Sequence, residues 1–147
     1  MDAVGFQVNL RFMKPDFPVL DGAVQIDASQ WPILIIRHDD KTNTEEQNLE
    51  FLKVFSEFVK SNKERYALVA DLASAENTKS NDRRLLSKSM SQNKELNKKY
   101  RACAAIVFDS AVTRGALMAL TWIFKPPYPT QTFKTVDDAI AWAKEQL

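Results

Sequence analysis

One histidine and one cysteine are all that this chain of 147 residues offers toward the usual nucleophilic or metal chemistries. A Cys–His pair would have to be Cys103 with His38. His38 follows the apolar run Ile33-Leu34-Ile35-Ile36, at the C-terminal end of a strand, whereas Cys103 opens the run Cys103 to Phe108. If those strands are parallel, about five residues at roughly 3.3 Å each put the two side chains at opposite edges of the sheet. A Ser-His-Asp triad would need the same histidine, and structural zinc needs four ligands of Cys or His type. Gly5, Gly22 and Gly115 are isolated, so no glycine-rich phosphate cradle is formed. These residues predict no enzyme, no resident metal and no cofactor. Cys103 reads as a small core thiol and His38 as a solvated group at a strand end.

Carboxylates and cations offer more. Asp39 and Asp40 follow one apolar run, Asp71 closes a second and Asp109 a third. In an open α/β sheet ligands bind beyond the C-terminal strand ends, where such a set could hold Mg²⁺ or accept a phosphoryl group. The competing reading is that these aspartates cap helices and start turns, with Asp109 or Ser110 capping the next helix. Lys79, Arg83, Arg84, Lys88, Lys94, Lys98, Lys99 and Arg101 gather on and after a second helical stretch, against only Asp82 and Glu95. A protein partner, acidic or phosphorylated, would meet this face at Ser80, Arg83, Arg84 and Lys88. Nucleic acid is not expected, because single-strand readers interleave aromatics with their charges and only Tyr100 is at hand. The stretch from Val112 to Phe124 is apolar around most of its circumference. It is either buried on several sides or docks a partner. Leu117, Leu120 and Ile123 are expected in the core. Trp122, Phe124 and Tyr128 could wall a pocket for a lipid or other amphiphile, or form a homodimer surface.

The elements that position these groups follow from periodicity. Val4, Phe6, Val8, Leu10 and Phe12 alternate with polar residues, the mark of a strand with one wet face, and Pro15 and Pro18 break it. Asp21-Gly22 predicts a hairpin turn before Val24, Ile26 and their polar alternates. Ile33 to Ile36, Tyr66 to Leu72 and Arg101 to Phe108 read as strands buried on both faces. Thr44 with Gln47 forms a capping box for a helix whose Leu52, Phe55, Phe58 and Val59 share one face. Ser80-Asn81-Asp82 caps a second helix running to about Lys99. A third helix is ended by Pro126-Pro127. Pro129 to Phe133 is a short extended piece, and Thr135 caps a last helix carrying Val136, Ile140, Ala143 and Leu147.

Strand–helix–strand order requires parallel neighbours with right-handed crossovers. The expected fold is therefore a mixed α/β sheet, parallel in the centre and antiparallel at an N-terminal edge, with about four helices. Residues 1–147 form one domain, with 1–30 as an N-terminal β extension. An apolar content of 45%, a charged content of 27% and a net charge of +1 describe an ordinary globular chain. No segment reaches the roughly 20 apolar residues of a membrane span, and the start lacks a secretory pattern. A lone cysteine suits a reducing compartment, so the cytoplasm is expected.

From Trp31 onward this order of elements resembles the STAS domains of bacterial anti-sigma factor antagonists, above all their divergent SpoIIAA-like group. The resemblance is carried by Ala67-Leu-Val-Ala-Asp-Leu72, by Arg114-Gly115, and by Pro129 to Phe133 leading into Asp138-Ala-Ile-Ala-Trp142. It implies a SpoIIAA-like mixed sheet and a bacterial signalling role through protein–protein interaction. In the antagonists a serine at the start of the second helix, within Asp-Ser-Ser-Gly, is phosphorylated by a partner kinase. Lys79-Ser80-Asn81-Asp82 keeps Ser80 but lacks the preceding acid and the following glycine. Ser80 is thus either a phosphorylation site or a plain N-cap. Other members of the fold carry lipids or serve as docking modules, and the resemblance admits both.

Overall fold

The computed structural model describes residues 14–75 and 92–147. Five strands form a single sheet in chain order: β1 (Val24–Gln30), β2 (Ile33–His38), β3 (Tyr66–Asp71), β4 (Arg101–Val107) and β5 (Thr130–Phe133). β1 pairs antiparallel with β2, and each later pair is parallel. Four α-helices are described: α1 (Glu45–Ser61), α2 (Lys94–Tyr100), α3 (Ala111–Phe124) and α4 (Val136–Gln146). The mixed sheet with a parallel centre and an antiparallel N-terminal edge is the architecture that the apolar runs imply.

The antiparallel hairpin sits elsewhere than the Asp21-Gly22 dipeptide suggested. Residues 14–20 are not strand, and the chain reverses between β1 and β2 at Trp31-Pro32, a cis peptide bond. Asp21-Gly22 is instead a bend held by α1. Asn43 Oδ1 accepts from the Ala23 N–H, and Gln47 Nε2 donates to the Asp21 carbonyl. Turn chemistry at one dipeptide is a weak local preference, which these longer-range bonds redirect. The alternating stretch Val4 to Phe12 lies outside the described residues.

Alternation along the buried strands divides the core in two. Leu34, Ile36, Tyr66 and Leu68 point to the face covered by α1, meeting Phe51, Leu52, Phe55, Phe58 and Val59. Ala70 and Ile106 continue that face under Leu117 of α3. Ile33, Ile35, Ala67, Val69, Cys103, Ala105 and Val107 point the other way, onto Ala139 and Ala143 of α4. The alanines let α4 lie close to the sheet. On the α1 side, aromatic rings fill a deeper layer: Phe58 packs edge-on to Tyr66 at 5.3 Å, and Trp31 stacks on Tyr66 at 5.8 Å. Each of these large side chains contributes about 1.5–3 kcal/mol by leaving water.

The helix starts are fixed locally. Thr44 accepts from the Gln47 N–H while the Gln47 side chain accepts from the Thr44 N–H, the reciprocal box the sequence spelled. Ser110 Oγ accepts from the Thr113 N–H, so Ser110 rather than Asp109 caps α3. Thr135 caps α4 through the Asp138 N–H. α3 stops at Lys125, in the left-handed region with φ 43°, ahead of Pro126-Pro127.

Candidate functional site

Register fixes where each sequence-selected group lies along the sheet. Ile33 pairs with Ala67, and Ala67 with Cys103, so His38 lies five residues further along than Cys103. At about 3.3 Å per residue that is roughly 16 Å of sheet, and the two side chains cannot act together. Cys103 is fully buried, and burial pushes its thiol up to about 11. His38 is a correction: it is buried, not solvated, and its Nδ1 donates to the Asp39 carbonyl at 2.7 Å. The strand-end carboxylates do not converge. Asp39 accepts from the Lys41 N–H and Asp71 from the Ala73 N–H, both as turn formers. Among the described residues no group of three or more His, Cys, Asp or Glu could hold a metal ion. The Mg²⁺ site considered for Asp39, Asp40, Asp71 and Asp109 is therefore not assembled.

α3 departs furthest from expectation. Among the large apolar side chains of α3 that are described, Leu117 is the buried one. Val112 is 83% exposed, Trp122 73%, Ile123 72% and Leu120 46%. Leu120 and Ile123 were expected in the core, but α3 meets the sheet through Leu117, over Ala70 and Ile106, and leaves Val112, Leu120, Trp122 and Ile123 exposed. Arg114 is held on the inner side, with Nη1 donating to the carbonyls of Phe108 at 2.8 Å and Asp109 at 2.7 Å. Of the suggested pocket, Trp122 lies out in solvent while Tyr128 is buried; the Phe124 side chain lies outside what is described. Ser80, Arg83, Arg84 and Lys88 also lie outside the described residues, as does the expected cap Ser80-Asn81-Asp82; the helix expected to run through to Lys99 is not continuous, because α2 starts at Lys94 after a left-handed Asn93.

Arg101 was read both as part of a basic face and as the first residue of a buried strand, and the structure places it in the strand. Grouped by composition with a solvated basic face, it is in fact 4% exposed. Tyr66 pairs with Arg101 and Ala67 with Cys103, leaving Ala102 as the extra residue of a bulge. The bulge turns Arg101 toward the α1 face. There its guanidinium carbon lies 5.7 Å from the Phe55 ring, 5.8 Å from Tyr66 and 5.2 Å from Tyr128. Nε donates to the Tyr66 hydroxyl at 3.1 Å and Nη1 to the Tyr128 hydroxyl at 2.9 Å. Burial disfavours the charge, but the two phenol oxygens outweigh it and raise the Arg101 pKa above its ordinary value. Burial likewise raises Tyr66, which stays a neutral phenol. One signal was available: an arginine opening a strand otherwise built of small apolar residues.

With this geometry in hand, comparison with known proteins is informative about fold. A solved structure from Shewanella loihica, described as an uncharacterized protein from the DUF3478 family with a SpoIIAA-like fold, matches with a TM-score of 0.60. Identity is 17%, over 88% of this chain and 99% of that one. No family model matches the chain, and no curated protein matches it. The protein thus has a SpoIIAA-like α/β fold.

Proposed function

We propose that this is a non-catalytic protein-interaction domain of SpoIIAA-like type, regulatory in role, which docks a partner protein on the outer face of α3. The exposure of Val112, Leu120, Trp122 and Ile123 on one helix is the observation that carries the reading. Contiguous apolar surface on a helix is costly to leave in water, and tryptophan is the side chain most enriched at the centres of interfaces. A protein partner fits this face better than a lipid surface does. Helices that lie in a membrane interface flank their apolar stripe with free lysines and arginines. Within α3 the only cation is Arg114, and its guanidinium is already engaged by two backbone carbonyls. No helix among the described residues is long and apolar enough to cross a membrane.

The partner is a protein with an apolar groove able to take Trp122, and the cytoplasm is the compartment proposed for the encounter. Affinity capture from host lysate should use the wild type beside Trp122→Glu and an Arg83→Glu/Arg84→Glu variant, with light scattering of each to read the oligomeric state. A defined partner retained by the wild type and lost with Trp122→Glu supports the α3 face. Loss only with the arginine reversal moves the interface to the basic stretch around Arg83 and Arg84, and a Trp122-dependent dimer makes the occupant a second copy of this chain. Binding of anionic vesicles that Trp122→Glu abolishes, with no protein partner, would overturn the reading.

A further inference from the structure

Arg101 carries a full charge into the core, and the described residues supply no counter-charge. Among the described residues no carboxylate lies within ion-pair distance; the one ion pair is Arg37 of β2 with Asp27 of β1. Of its three donor nitrogens, Nε and Nη1 are satisfied by Tyr66 and Tyr128. Nη2 is sealed from solvent and has no acceptor. A buried charged donor left unpaired costs free energy that native proteins rarely leave uncompensated. Phenol hydroxyls and ring faces spread the positive charge but do not cancel it.

We propose that Arg101 anchors a binding site for a monoanionic carboxylate with an apolar body, closed in the unliganded protein by Tyr128. One carboxylate oxygen would accept from Nη2 and the other from Nη1, which Tyr128 gives up. The planar guanidinium edge matches the two oxygens of a carboxylate in one plane. The charge count selects the class of ligand. One guanidinium among neutral phenols balances one negative charge, whereas a phosphate dianion would leave one surplus charge in the same desolvated space. The rings of Phe55, Tyr66 and Tyr128 suit an aromatic or aliphatic body next to the carboxylate.

Tyr128 is the wall that can yield. Phe55 sits within α1 and Tyr66 within β3, but Tyr128 belongs to the short connection between α3 and β5, next to exposed Pro127. That connection starts at Lys125, whose left-handed backbone is a strained conformation for a lysine. The site is independent of the α3 docking face and stands or falls by its own test.

The test follows the Arg101 Nε–Hε resonance of the ¹⁵N-labelled full chain by NMR while benzoate, inorganic phosphate or chloride is titrated at constant ionic strength. Benzoate is expected to shift that resonance saturably, and phosphate and chloride far less. Tyr128→Phe removes the hydroxyl that competes for Nη1, so benzoate affinity should rise about 3- to 10-fold. Arg101→Met should abolish the shift of neighbouring amides, and if it does not fold the Tyr128→Phe comparison still decides. No saturable response in either wild type or Tyr128→Phe overturns the site. Phosphate binding as tight as benzoate overturns the carboxylate assignment, and an affinity unmoved by Tyr128→Phe overturns the closing role of Tyr128.

Discussion

The same substitution at two glycines should move stability in opposite directions. At Gly22 an added Cβ would lie 2.5 Å from Asn43 Oδ1 and 3.1 Å from Gln47 Cβ, whereas at Gly115 nothing lies within 4 Å. Ordinary contact begins near 3.4 Å, so Asn43 Oδ1 must retreat by about 0.9 Å. It is not free to do so. Asn43 is buried, Oδ1 accepts from the Ala23 N–H, and Nδ2 donates to Asn48 Oδ1 at 3.0 Å. The Ala23 nitrogen is close to the new Cβ along the chain, so retreat from one is largely retreat from the other. Losing that buried bond costs about 1–3 kcal/mol. The smaller entropy of the unfolded Ala chain returns about 0.4–1 kcal/mol, leaving Gly22→Ala destabilising by about 1–2 kcal/mol. Gly115→Ala, in the exposed interior of α3, keeps the entropy gain with no clash and should stabilise by about 0.5–1 kcal/mol. Urea unfolding monitored by far-ultraviolet circular dichroism measures both, and thermal midpoints should separate by several degrees. A Gly22→Ala/Asn43→Ala double variant should recover part of the loss relative to additivity. If Gly22→Ala is as stable as the wild type, the contact between the bend and α1 is not the constraint argued here.

Two further outcomes follow from ionisable groups. Hydrogen bonds from Ser29, and then Arg37, lower Asp27 from 3.8 to about 2, so its contribution is present above about pH 4 and lost as pH falls through about 2. The pair is partly solvated, with side chains 30% and 45% exposed, so screening reduces the effect to about 1 kcal/mol or less; Asp27→Asn should cost that much at pH 7 and only a small part of it at pH 2, and a gap that ignores pH would refute it. Cys103, fully buried and raised from 9.0 to about 11, should react with maleimide at pH 8 about 100-fold more slowly in the native protein than in urea. A native rate close to the denatured one would contradict its placement between the sheet and α4.

What could be read from the sequence was what short-range chemistry decides. Thr44 and Gln47 spell a capping box because both partners lie within one turn, and the box forms. The runs Ile33 to Ile36 and Tyr66 to Leu72 are buried on both faces because only such a strand tolerates unbroken apolar residues, and β2 and β3 occupy them. From parallel order alone came the separation of His38 and Cys103. What could not be read depends on partners far along the chain. Asp21-Gly22 has a turn composition, but α1 decides what the bend does through Asn43 and Gln47. His38 was placed at a strand end correctly, yet its burial comes from neighbours that periodicity does not name. The direction of Arg101 was invisible because a one-residue bulge against β3 sets it, and no local pattern encodes the bulge.

The two departures from local consistency have opposite sense. α3 places Val112, Leu120, Trp122 and Ile123 outside the core, and β4 places a cation inside it. An apolar helix pattern states that the residues must leave water, not that this chain supplies the cover, so Leu120 and Ile123 satisfy the pattern equally well under a partner. Likewise a buried guanidinium states that an anion or its equivalent is needed, and the phenols of Tyr66 and Tyr128 meet that need only in part. Both features work against stability as the chain stands alone, while the capping, packing and register around them are mutually consistent. Residues that break the local rules inside an otherwise consistent fold are where binding is best sought. In this protein they lie at the outer face of α3 and at the cage around Arg101, joined in sequence by the connection that carries Tyr128.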